Sequence, residues 1–134
     1  MAVTEEGLLA EVPFDGIGAG PVIQDGTVVG VDHVLFEPSG DAVLNIYLTI
    51  TDIPGDEISA NVTGRATFLN PGQYLLEGAA GTVINEVDPH TGVFHATTGR
   101  YAQMIGDTFE DRGFISEFSL FPPAGSVHAK WYLH

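Results

Sequence analysis

The sequence predicts an all-β chain folded as a single eight-stranded antiparallel barrel. Three observations lead there. Residues 42–51 alternate strictly, with Leu44, Ile46, Leu48 and Ile50 set against Asn45, Tyr47, Thr49 and Thr51, which is the two-residue period of a strand. Similar short runs recur at regular spacing between turns rich in Pro, Gly, Asn and Asp, the pattern of a barrel or sandwich. No window of ten or more residues has a helical period without a Gly or Pro inside it.

In chain order, residues 1–10 read as a tail or short lead-in, where Leu8 and Leu9 could dock while Glu5 and Glu6 face water. The barrel domain is expected over 11–134. Glu11-Val12-Pro13-Phe14 reads as a short edge segment, because Pro is confined to edges and strand starts. Residues 15–21 form a Gly-rich loop. It lacks the following helix start that a phosphate cradle needs. Asp25-Gly26 turns a hairpin between Val22-Ile23 and Val28-Val29. A strand follows over 30–37. Pro38-Ser39-Gly40-Asp41 and residues 52–56 are turns on either side of the strand at 42–51.

Residues 58–69 oppose Val62, Gly64, Ala66 and Phe68 to Thr63, Arg65 and Thr67. After the turn Asn70-Pro71-Gly72, a strand begins at 73–77 and is bent or bulged by residues 78–81. The stretch 82–104 holds the central hairpin. Its first run ends at Val87, Asp88-Pro89-His90-Thr91-Gly92 turns, and Val93-Phe94-His95-Ala96 follows. Thr97-Thr98-Gly99 breaks the pattern and residues 100–104 resume it. Residues 105–113 read as a polar connection, 114–121 as a strand, 122–125 as a turn and 126–133 as the last strand. Both faces of many strands carry apolar or small residues, as in closed up-and-down barrels. A two-sheet β-sandwich is the rival architecture.

At 134 residues the chain suits one domain with one core. Four Lys and Arg against eighteen Asp and Glu give a formal charge of −14, which argues against nucleic acid and anionic membranes as partners. The acidity reads either as solubility through self-repulsion or as adaptation to high salt. The absence of Cys excludes disulfides, thiolate zinc sites and a Cys nucleophile. The N-terminal MAVTEEGLLAEV is neither an export signal nor a membrane span, so a cytoplasmic location is expected.

The order of Val12-Pro13-Phe14, then Asp25-Gly26-Thr27-Val28-Val29-Gly30, then Thr91-Gly92-Val93-Phe94 with Gly99 behind it, resembles the allene oxide cyclase-like barrels. These are related in fold to plant dirigent proteins. The resemblance spans residues 11 to about 121. It implies an eight-stranded barrel with an apolar cavity, usually oligomeric, here a dimer or trimer. It also implies an apolar small-molecule substrate, an intramolecular ring closure or an orienting role, and no metal or organic cofactor. Carried over, Val12 and Phe14 are cavity wall, and the strand after Gly30 points Asp32, Val34 and Phe36 inward, leaving His33 and Leu35 outward. Plant cyclases have an Asn two residues beyond that Phe, where this chain has Gly16. Their buried Glu near the N-terminus has no secure match, although Glu11 stands close. Both departures count against the plant activity itself.

Such a cavity enzyme needs little chemistry, because holding one folded conformer of the substrate already brings the reacting ends together. Asp32 is the first catalytic candidate: facing in and desolvated, it would act as acid or base. Arg65 and Arg100 stand out among scarce basic residues, and either could polarise a carbonyl. The plain alternative is a surface ion pair. Tyr47 and Tyr101 could orient a carbonyl or enol, or simply sit at the rim. Trp131 and Tyr132 read as a cap on one end. Val12, Phe14, Val34 and Phe36 are the expected substrate-binding wall. His33, His90, His95, His128 and His134 lack any paired ligand spacing, so no metal is expected. No nucleophile-elbow motif points to a hydrolase. The resulting expectation is a cofactor-free cyclase or isomerase, with a non-catalytic binding barrel or a side-chain-filled structural barrel as alternatives.

Overall fold

The computed structural model describes residues 2–5, 7–18, 26–87, 94–95, 97–120 and 123–133. The expected strand at Val22-Ile23, the turn residue Asp25 and the turn at 88–92 lie outside these. Strand β1 is Ala2–Thr4, β2 Gly7–Gly18, β3 Gly26–Phe36, β4 Ala42–Asp52, β5 Glu57–Asn70 and β6 Gln73–Ile84. Then come β7 Glu86–Val87, β8 Phe94–His95, a 3-10 helix Gly99–Met104, β9 Thr108–Leu120 and β10 Pro123–Leu133. Among the described residues, no helix is long and apolar enough to cross a membrane.

Eight strands form one antiparallel sheet in the order β1-β2-β3-β4-β5-β6-β9-β10. This is a single meander, not two stacked sheets. β7 and β8 form a separate ribbon within the excursion between the neighbours β6 and β9.

Four local expectations change. The lead-in is strand, because β1 folds back on the start of β2 through the Thr4↔Gly7 pair. Gly7 has a φ of +140°, and a Cβ there would strike the Phe36 carbonyl oxygen, so only Gly fits. Ala10 is consequently buried. Residues 15–18 stay paired with β3 rather than looping. Residues 100–104 form the 3-10 helix, and the polar connection gives way to β9 at Thr108.

The sheet is rolled. Phe36 on β3 and Phe118 on β9 are four strand steps apart, about 19 Å along a flat sheet, yet their ring centroids are 5.5 Å apart. Two irregularities help the bend. Residues 77–78 of β6 oppose a single residue of β9, and Glu117-Phe118 of β9 oppose Gly125 of β10. Such bulges sharpen the local twist. Glu117 has a φ of +55°. The extra residue shifts the alternation of β9, so that Ile115 and Phe118 both face the concave side.

The concave face holds two apolar clusters. One contains Leu48, Ile58, Ala60, Val62, Val83, Tyr101 and Phe109, with Phe14, Met104 and Trp131 packed on it. The other contains Val34, Ala42, Leu44, Ala66 and Leu76, with Val12, Phe36, Tyr74 and Ile115. The 3-10 helix closes the first end by inserting Tyr101 and Met104. Thr97 secures that cap. Its hydroxyl donates to the Ile84 carbonyl at 2.7 Å and accepts from the Ser59 N–H at 3.0 Å. Among the described residues, no pairing joins β10 to β1 or β2.

Candidate functional site

At the end away from the 3-10 helix, the concave face encloses a cavity of about 20 Å³, room for about one water molecule. Asp32, Val34 and Phe36 of β3, Ala42 and Leu44 of β4, Ala66 of β5, Tyr74 of β6, and Ile115 and Phe118 of β9 line it. The alternation of β3 puts Asp32 in this wall between Gly30 and Val34. The rings of Phe36, Tyr74 and Phe118 meet there, with Tyr74 edge-on to Phe118 at 6.0 Å.

Asp32 is the polar exception. Its residue is partly exposed, but Oδ1 is shut off from solvent and has no hydrogen-bond partner. Burial pushes the carboxyl up to about 7, against a smaller downward pull from the Asn45 backbone N–H. A carboxyl of that pKa can give or take a proton near neutrality. Tyr74 contributes a phenol whose pKa burial also raises, so it remains a neutral donor. Asp111 of β9 is a second buried carboxyl, outside the cavity wall. It is 5% exposed, its Oδ1 has no partner, and burial pushes it up to about 6.

The other catalytic candidates do not join Asp32. Tyr47 is buried but lies on the opposite face, between the inward Ile46 and Leu48, with its ring edge-on to His33 at 6.2 Å. Its face carries polar pairs: Thr49 and Ser59 share a hydrogen bond of 2.8 Å, and the Asn61 amide donates to Asn45 Oδ1 at 2.7 Å. Arg65 also faces out. It is 55% exposed and ion-paired with Glu37, with Asp41 at 3.8 Å, so it polarises nothing in the cavity. Both corrections follow from strand alternation, which sets these residues against the apolar row.

Tyr101 and Arg100 belong to the cap. The Tyr101 hydroxyl donates to Asp52 Oδ2 at 2.6 Å, and Arg100 donates to the same oxygen from Nη2 at 2.6 Å and from Nε at 3.1 Å. Asp52 Oδ1 accepts the N–H groups of Gly55 and Asp56, each at 2.9 Å. The Tyr101 hydroxyl, followed by Arg100 and the two backbone donors, holds the Asp52 carboxyl below its usual range. This carboxylate ties the β4–β5 turn to the 3-10 helix. Tyr101→Phe is expected to lower stability by about 1.5–3 kcal/mol at pH 7, the worth of a hydrogen bond to a charged group. Asp52 contributes above its unfolded pKa and stops contributing as pH falls through its lower folded value. The two proteins' urea midpoints should therefore converge in acid; equal midpoints at pH 7 would refute the assignment.

Val12 packs on the cavity-end cluster, and Phe14 packs on the capped one. Trp131 stacks on Phe109 with centroids 4.1 Å apart, so it fills the concave face. Tyr132 is exposed beneath the Arg112 guanidinium at 5.1 Å. Among the described residues, no three His, Asp or Glu converge on a metal position. His90 and His134 lie outside the described residues. Tyr74, Phe118 and Asp111 were missed from sequence. The Phe109, Asp111, Gly113, Ile115 alternation was a usable signal for Asp111, whereas nothing local announces the bulge that turns Phe118 inward. Compared with family models, curated proteins and solved structures, the chain matches none.

Proposed function

We propose that the rolled sheet works as a barrel of the expected kind, binding an apolar small molecule on its concave face, with Asp32 exchanging a proton with the bound compound. The reaction class is cofactor-free isomerisation or ring closure at a carbonyl or enol. The observation that carries this reading is the buried, unpartnered Asp32 oxygen in an otherwise apolar wall. A carboxyl kept uncharged up to about pH 7 can donate to a carbonyl oxygen or, once ionised, accept an α-proton. Tyr74 would hold the developing oxyanion by its phenol. The resemblance of Val12-Pro13-Phe14 and the later Gly-rich segment to allene oxide cyclase-like barrels favours the same chemistry.

A second reading has its own observation. A cavity of about 20 Å³ is far below the roughly 300–1,000 Å³ of ligand pockets. On that reading the chain is a structural domain. In the catalytic reading, Phe36 and Phe118 must swing aside to admit the ligand.

Proton exchange separates the two. Apolar cyclic ketones are incubated with the protein in D2O at neutral pD, and α-deuteration is followed by NMR. Catalysed exchange, reduced about 100-fold or more in Asp32→Asn, is the expected result. No binding and no exchange by any ketone would leave the structural reading. Equal exchange in Asp32→Asn would remove Asp32 from the chemistry.

A further inference from the structure

Phe118 is held in the cavity wall by a strained backbone. Regular alternation continued from the inward Ile115 would turn Glu117 inward and Phe118 out. Instead Glu117 has a φ of +55°, the only positive φ at a non-glycine among the described residues. The extra residue of the bulge brings the Phe118 ring inside, onto the cavity that Asp32 also lines. A Cβ disfavours that backbone conformation. The Glu117 side chain is exposed, so its burial does not offset the strain. Strain kept beside a cavity points to a use for it.

The two phenyl rings in a ligand's way are not equally fixed. Phe36 is paired on both sides, to Leu8 and to Ala42, in ladders without irregularity, so it turns only about its own side-chain bonds. Phe118 lies beyond Tyr74↔Ile115, the last pair of the β6–β9 ladder on that side. There its N–H donates to the Gly72 carbonyl at 3.0 Å. On its other side the bulge interrupts the β10 ladder. Passing the extra residue on towards the β9–β10 turn returns Glu117 to an ordinary strand conformation and swings the Phe118 ring out.

With that ring out, a flat, phenyl-sized place opens against Phe36 and Tyr74, whose ring centroids lie 5.5 and 6.0 Å from that of Phe118. It joins the water-sized space beside the unpartnered Asp32 oxygen. We propose that Phe118 is a built-in stand-in for the ligand, and that the ligand is an aryl ketone. Its ring displaces that of Phe118, and its carbonyl enters the space beside Asp32. Aromatic neighbours on two sides favour a planar ring over a puckered one. This inference rests on the reading of the cavity as a ligand site and adds the substrate class and the closed state.

Ligand and Phe118 exclude one another, so apparent affinity scales with the fraction of molecules in which the plug is out. The test is a titration with 4-fluoroacetophenone followed by 19F NMR. Phe118→Ala, which removes the plug, should bind about tenfold tighter than the parent. Glu117→Gly, which relieves the closed state, should bind about tenfold more weakly and keep the parent's circular dichroism. Added to Phe118→Ala, Glu117→Gly should leave affinity unchanged, because no plug remains to be held. The saturated analogue, 4-fluorocyclohexyl methyl ketone, should bind more weakly throughout. Equal affinity of parent and Glu117→Gly, the same loss from Glu117→Gly with Phe118 absent, or equal binding of the saturated ketone would each overturn the proposal and leave a ligand site at Asp32 standing. No binding by the parent or by Phe118→Ala would overturn both.

Discussion

Asp32→Asn is expected to be more stable than the parent at pH 8 and equally stable near pH 4. Folded Asp32 keeps its proton up to about pH 7, while an exposed Asp loses it near 3.8. Between those values the unfolded chain binds fewer protons than the folded one, so stability falls as pH rises. At about 1.4 kcal/mol per pH unit, the accumulated loss reaches up to about 4 kcal/mol by pH 7, and Asn removes it while keeping the shape. Asp111, pushed up to about 6, should show the same behaviour with a smaller gain, about 3 kcal/mol. Urea unfolding of parent and both variants from pH 4 to 8 checks this. A variant less stable than the parent at pH 8 would mean that the ionised carboxylate has a partner in the fold. A gain on removing Asp32 is also what a functional residue held at a cost to stability predicts.

Phe109→Ala is expected to destabilise by about 3–5 kcal/mol, the range for a buried aromatic truncated to Ala. Phe109 is 1% exposed, stacks on Trp131 at 4.1 Å, and lies over Gly81, where a Cβ would run into its ring. In a chain of 134 residues that is a melting-temperature drop on the order of 10–20 °C. Gly81→Ala alone should also destabilise, because it crowds the ring. Added to Phe109→Ala it should cost little or even restore stability, since the methyl then enters the vacated space. The double-mutant cycle reads this coupling directly. Additive effects would show that Phe109 does not rest on Gly81.

The strand pattern was open to local reading. Period-two alternation placed Asp32, Val34 and Phe36 on one face, and the structure sets all three in one cavity wall. The same alternation set Tyr47 with Asn45 and Thr49, and Arg65 with Thr63 and Thr67, opposite the apolar row. Their register therefore keeps both side chains out of the cavity. The bend at 78–81 was visible from its Gly content, and it overlaps the bulge at 77–78.

Residues 100–104 resisted local reading because their neighbours lie far off in sequence. Asp52 and Asp56 bind Arg100 and Tyr101 across more than forty residues, and those bonds select a 3-10 turn over a strand.

From its residues alone, this chain was committed to an antiparallel all-β meander, because side-chain alternation and turn chemistry act over a few neighbouring positions. How tightly the sheet rolls, that Phe118 faces in and that Asp52 ties the cap were decided only in three dimensions. Each depends on contacts between strands that no short stretch of sequence contains.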